Sequence, residues 1–184
     1  MRTARFALIV GIILIAAGVW AFTDTQAAGS TSWFRWDGLA LALFGAGIAA
    51  VLSGVGSSIG IGIAGGMATG AMQEKPELFG RFLPLAAAPG TQGIYGIVTA
   101  VLILGKLGGT MGIDTGWQLF FAGLPIGFAG LASAIWQGKV CASGVGLVVK
   151  DPGQFGKALV MAVLVEFYAL LGLLTSILML GQIK

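Results

Sequence analysis

The stretch KPELFGR at residues 75–81 reads almost as a copy of DPGQFGK at 151–157, and this pair decides the fold. Both join a proline, a phenylalanine, a glycine and a basic residue at the same spacing. Both are flanked by long apolar runs, so each reads as the turn of a helical hairpin. Shifted by 76 residues, the chain aligns with itself without a gap from about 53–105 to 129–181. Gly54, Ser57, Ile59, Gly62, Gly70, Pro76, Phe79, Gly80, Gly96, Thr99 and Gly105 each meet the same residue type. A period with identical loop punctuation marks a duplicated unit. Two crossings separate the copies, so they run in the same direction, unlike the inverted repeats of many secondary transporters.

Working outward, five apolar segments appear at about 6–22, 39–72, 78–107, 116–149 and 155–182. Mean hydropathy is +0.97. The chain is 57% hydrophobic and 9% charged, against about 25% charged in a soluble domain. Several runs exceed the roughly 18 residues that mark a membrane span. They are continuous rather than alternating, which argues against a β-barrel. The expected fold is an all-α membrane protein with two tandem transmembrane hairpins, 39–107 and 116–182, preceded by an apolar leader at 1–30. The first and third core helices, at over 30 residues, should span roughly 50 Å and project beyond a hydrocarbon core of about 30 Å.

The leader, MRTARFALIVGIILIAAGVWAF followed by TQAAGS, fits a signal peptide and equally a retained fifth helix. Lys and Arg set the orientation. With the N-terminus inside, Arg2, Arg5, Lys75, Arg81, Lys139, Lys150 and Lys157 fall on the cytoplasmic half, and Arg35, Lys106 and Lys184 outside. The hairpin loops are then cytoplasmic and the C-terminus external. Trp20, Trp33, Trp36 and Trp117 lie near the outer interface, where indoles prefer to sit. The charge of +3 is spread thinly, which excludes a nucleic-acid-binding block. With no His and one Cys there is no intrachain disulfide and no Cys/His metal site. Cys141 aligns with Gly65 and reads as a small packing residue.

Gly is 32 of 184 residues, and seven of these fall in two stripes of small residues at every fourth position. It runs through Ala46, Ala50, Gly54, Ser58, Gly62, Gly66 and Gly70, and again through Gly130, Ala134, Gly138, Ala142 and Gly146. Small residues four apart let helix backbones touch. Packing within one bundle and crowding of many copies into a ring both fit.

The apolar cores hold few polar side chains. Thr91 and Gln92 lie 15 and 16 residues beyond Pro76, while Gln137 lies 15 before Pro152 and Glu166 lies 14 after it. At 1.5 Å per residue all four sit roughly 21–24 Å from the turn, at one membrane level. Tyr95 and Tyr168 are nearby in sequence. A charged carboxylate at mid-bilayer costs at least about 2.5–3.5 kcal/mol, so Glu166 must be neutralised or partnered. A proton does this, and so does a cation held by the oxygens of two amides and a hydroxyl. Pro89 breaks the second core helix and frees carbonyls at the same depth. Lys139 is expected to snorkel, and Trp136 to pack.

The motifs PGTQGIYG (89–96), QGKV (137–140) and VEFYALLG (165–172) resemble the duplicated proteolipid of V-type ATPases, also called the K or c subunit, over about residues 39–182. The resemblance implies a homo-oligomeric rotor ring in a prokaryotic plasma membrane, surrounded by lipid. A stator subunit with an arginine and the central-stalk subunits would be its partners, and ATP hydrolysis would occur elsewhere in the complex. It implies no organic cofactor, no catalytic residue and no nucleic acid. By the family's sodium-carrying pattern, Na⁺ would be held by Glu166, Gln92, Gln137, Thr91 and the Ala88 carbonyl, with Tyr95 bonding the glutamate. Ala88 stands where such members often have leucine, and the leader is a further departure. Glu166 aligns with Gly90, so each chain carries one ion, which favours a pump over a synthase. The same ring carrying H⁺ is the alternative. A small H⁺-coupled secondary transporter and a purely structural proteolipid are the more distant ones.

Overall fold

A computed structural model describes residues 37–183. The regular structure of the described residues is all helical: α1 (Gly38–Glu74), α2 (Phe79–Ala87), α3 (Thr91–Leu104), α4 (Ile113–Lys150) and α5 (Phe155–Gln182), with no strand among them and a non-helical connection at 105–112. Short 3₁₀ turns at Pro76–Leu78 and Pro152–Gln154 make the two hairpin bends that the repeated loop predicts. A third 3₁₀ turn, Ala88–Gly90, joins α2 to α3, so the second crossing is one interrupted span. Among the described residues, four helical spans, Gly38–Glu74, Pro76–Leu104, Ile113–Lys150 and Pro152–Gln182, are long and apolar enough to cross a membrane. The leader with its Trp20, and Trp33 and Trp36 beyond it, lie outside the described residues.

Local chemistry explains the boundaries. Asp37 caps α1 by accepting from the Ala40 amide at 2.8 Å. Asp151 does the same for the second bend, accepting from the Gly153 amide at 2.9 Å and from Gln154 Nε2 at 2.7 Å. These bonds favour the charged form, so the Asp151 carboxyl is held below the usual carboxylate range.

α1 and α4 run against each other over most of their length, α3 flanks α1, and α5 flanks α4. The α1–α4 joint is backbone on backbone. A Cβ on Gly60 would overlap the Ala134 carbonyl, and one on Gly138 would overlap the Gly60 carbonyl. The structure divides the small-residue stripe. Gly130, Ala134 and Gly138 are buried within the chain against α1, rather than left open for a neighbouring copy. Gly54, Gly62, Gly66 and Gly70 meet nothing, since a Cβ on any of them finds no atom within 4 Å, and Ser58 is exposed. Ala142 is half-buried, and a Cβ on Gly146 would touch Met67. The difference is one of azimuth: a four-residue stripe drifts around a 3.6-residue helix, and periodicity does not say which neighbour it meets.

Two apolar clusters close the bundle at its ends. Ala64, Phe82, Leu85, Cys141, Val145 and Ala162 pack near the hairpin bends. Ala42, Ala100, Ile103, Leu119, Ala122 and Leu180 pack at the far end. Between them lies a polar waist of Ser53, Ser57, Gln92, Gln137, Thr99 and Ser176, all buried. Pro125 lies inside α4 here, and Ile126 is held from both sides. Its amide donates to Ser176 Oγ at 3.2 Å, and its carbonyl accepts from Ser53 Oγ at 3.0 Å. Three helices are thereby tied at the depth of the site.

Candidate ion-binding site

Pro89 builds the first part of the site. It has no amide and disfavours helix in the residue before it, so the chain passes through the 3₁₀ turn and restarts at Thr91. The restart leaves amides and carbonyls to be satisfied locally. The Gly93 amide donates to Ser57 Oγ at 2.8 Å. The Thr91 hydroxyl has the Ala88 carbonyl at 3.1 Å and Gln92 Oε1 at 3.3 Å. Its single proton serves one of these at a time, which leaves the other oxygen open.

From Thr91 a directional relay crosses the bundle. Gln92 Nε2 donates to Gln137 Oε1 at 2.7 Å. Gln137 Nε2 donates to Glu166 Oε2 at 3.3 Å and to the Ala162 carbonyl at 3.1 Å. Tyr95 Oη donates to the other carboxylate oxygen, Oε1, at 2.7 Å. Thr99 in turn bonds the Tyr95 carbonyl at 3.1 Å. Gln92 and Gln137 are 0% exposed, so their amides are screened from solvent. Glu166 is half-buried on the flank of α5.

The arrangement suits a carboxylate that works as an acceptor: each oxygen takes one donor, one of them a neutral hydroxyl. It also gathers oxygens. The Ala88 carbonyl, Thr91 Oγ1, Gln92 Oε1, Gln137 Oε1 and the carboxylate form one continuous set from three spans. An all-oxygen set with a single negative charge is chemistry for a hard monovalent cation or a proton. No group of three or more His, Cys, Asp or Glu side chains that could hold a transition metal occurs among the described residues.

Every residue expected at the site is therefore brought together: Glu166, Gln92, Gln137, Thr91, Ala88 and Tyr95. Tyr168 is not part of it, being 67% exposed on another face of α5. Lys139 also stays outside, its Nζ lying 3.8 Å above the Trp136 ring. Sequence reasoning missed the Ala162 carbonyl, which anchors the Gln137 amide. A main-chain acceptor leaves no mark in side-chain identity. It also missed Ser57, which was visible as one of the positions identical in both repeats.

The sequence matches the ATP synthase C-subunit family twice, over residues 44–103 and 120–179. The chain is 42% identical to V-type sodium ATPase subunit K of Enterococcus hirae, covering 77% of this chain and 91% of that one. It is 44% identical to A-type ATP synthase subunit K of Methanocaldococcus jannaschii, over 78% of this chain and 63% of that one. It is 29% identical to the 16 kDa proteolipid of the human V-type proton ATPase, over 75% of this chain and 89% of that one. The chain thus belongs to the ATP synthase C-subunit family, in the duplicated form of the V-type ATPase proteolipid.

Proposed function

We propose that this chain is the Na⁺-carrying subunit of the rotor ring of a rotary V-type ATPase that works as a pump. The observation that carries the reading is the relay from Thr91 through Gln92 and Gln137 to Glu166, with Tyr95 on the second carboxylate oxygen. A proton carrier needs only the carboxyl. Two fully buried amides and a hydroxyl beside the acid supply the further neutral oxygens that a hard cation such as Na⁺ requires. The likeness to a sodium ATPase subunit supports the same cargo.

In this reading Na⁺ is bound by the Glu166 carboxylate, Gln92, Gln137, Thr91 and the Ala88 carbonyl. The loaded site is neutral and faces lipid at little cost, while the empty site is anionic and does not. Release then requires a cation in the carboxylate's surroundings, which a stator arginine supplies. One acid per duplicated chain gives few ions per turn and favours building a gradient over making ATP. The hairpin bends at Pro76 and Pro152 face the cytoplasm, towards the central stalk. The hairpins span 39–107 and 116–182 in a prokaryotic plasma membrane.

The test is carbodiimide labelling of Glu166 in isolated membranes at fixed pH, titrated with NaCl and with KCl. The reagent attacks the protonated carboxyl. Protection by millimolar Na⁺ but not K⁺ is expected. Labelling that follows pH alone would make the ring a proton carrier, with both glutamines reduced to bridges between helices. No labelling under any condition would overturn the rotor reading itself.

A further inference from the structure

Where α3 begins, its first amides need acceptors that the helix itself does not supply. Its N-cap is Gly90, and no side chain at the N-cap position caps it. The Thr91 hydroxyl is engaged with the Ala88 carbonyl and Gln92 Oε1. The acceptor comes instead from another helix. Ser57 of α1, 6% exposed, accepts from the Gly93 amide at 2.8 Å. One turn along α1, a Cβ on Gly60 would lie 2.7 Å from Pro89 Cβ. The break is thus seated on α1 at two points, Pro89 against Gly60 and Gly93 against Ser57. The second point is close-fitting, since a Cβ on Gly93 would lie 3.2 Å from Ser57 Oγ.

The second hairpin supplies the comparison. Under the 76-residue shift, Ser57, Gly60, Pro89 and Gly93 fall on Ser133, Trp136, Val165 and Ala169. Of the four, the serine alone is kept. α5 runs unbroken from Phe155 to Gln182, so the Ala169 amide keeps its place in the helical ladder. Ser133 is 5% exposed, and its hydroxyl has no partner within the chain. The same serine is therefore idle beside an intact helix and caps a broken one. The break creates the Ser57 bond.

We propose that Ser57 is a positioning residue for the ion site, given the ion-carrying reading of that site, on which this rests. Its hydroxyl fixes the start of α3 against α1, and with it the direction in which Thr91 and Gln92 leave the helix. Those two residues lie between the break and Gly93. A helix turns about 100° per residue, so a slip of α3 by a fraction of a residue swings the Gln92 amide away from Gln137. Gln92 Nε2 reaches Gln137 Oε1 at 2.7 Å, and Gln137 Nε2 reaches Glu166 at 3.3 Å. A displacement at Gly93 is thereby passed to the carboxylate. Ser57 acts through Thr91 and Gln92, not as a ligand.

The test uses the full chain in native membranes and reads the NaCl midpoint for protection of Glu166 against carbodiimide at fixed pH. Ser57→Ala is expected to raise the midpoint by roughly threefold to tenfold, the range that one hydrogen bond typically spans. Ser57→Thr keeps the hydroxyl and should restore the midpoint to near the wild-type value. Ser133→Ala, at the matching position beside the unbroken helix, should leave it unchanged. A Ser57→Ala protein that assembles and melts at lower temperature, yet keeps the wild-type midpoint, would overturn the proposal, since Ser57 would then only hold helices together. An equal shift from Ser133→Ala would overturn it too, because the effect would not depend on the break. If Ser57→Ala does not assemble, Gly93→Ala takes its place: its Cβ presses on Ser57 Oγ, the midpoint should again rise, and an unchanged one would overturn the proposal. If Na⁺ does not protect the wild type, the sodium reading fails by itself. Ser57 is then judged by the labelling rate of Glu166 in Na⁺-free buffer: a faster rate in Ser57→Ala but not in Ser133→Ala supports the positioning role, and equal rates overturn it.

Discussion

Replacing Gln137 by leucine tests the relay at its centre. The side chain is 0% exposed and makes three hydrogen bonds: it accepts from Gln92 at 2.7 Å, and donates to the Ala162 carbonyl at 3.1 Å and to Glu166 at 3.3 Å. Leucine nearly preserves the volume, so packing changes little. Two losses follow. Gln92 Nε2 becomes a buried donor without a partner, which costs about 1–3 kcal/mol of stability. The Ala162 carbonyl keeps its place in the α5 ladder and adds little. Glu166 loses a donor, and the oxygen set loses Gln137 Oε1. A net contribution of about 1.5–3 kcal/mol for a contact to a charged group corresponds to roughly a tenfold to hundredfold weaker hold on the ion. The assay is the NaCl midpoint for protection of Glu166 against carbodiimide, at fixed pH, with Gln137→Glu and wild type alongside. An unchanged midpoint in a Gln137→Leu protein that still assembles would refute the reasoning. The relay would then be helix-bridging only.

Tyr95→Phe removes the 2.7 Å bond to Glu166 Oε1 while keeping the ring. The Na⁺ midpoint should rise by roughly tenfold, since each 1.4 kcal/mol is a factor of ten, and the assembled oligomer should survive native electrophoresis. Gly60→Ala forces α1 and α4 apart at the Ala134 carbonyl and should lower the thermal midpoint of the detergent-solubilised protein, at a cost of about 1–3 kcal/mol for overpacking. Gly62→Ala, which meets nothing within the chain, should leave the isolated protomer unaffected. At Asp151 the folded carboxyl is held below its ordinary range, so its contribution exists above the unfolded value and fades as pH falls through the folded one. Asp151→Ala should therefore lower the thermal midpoint at neutral pH and flatten its decline in acid, read from melting curves between neutral pH and about pH 3, a range that extends below the ordinary Asp value of about 3.9.

Much of this protein is one-dimensional, and sequence alone determined that part. Helix rise is constant, so counting from Pro76 and Pro152 placed Thr91, Gln92, Gln137 and Glu166 at one depth before any packing was known. The repeated bends gave the duplicated hairpin, and Pro89 marked a break that frees backbone carbonyls at the depth of the site. Tertiary structure decided what depends on azimuth and on direction. It chose which stripe is used within the chain, burying Gly130, Ala134 and Gly138 while leaving Gly54, Ser58 and Gly62 open. It aimed the Gln137 amide at both the Ala162 carbonyl and the carboxylate, and turned Tyr95 rather than Tyr168 towards Glu166. The physical reason is that hydropathy reports how deep a residue sits in the membrane. Which neighbour it meets is set by backbone contacts between helices, and those exist only once the four spans have packed.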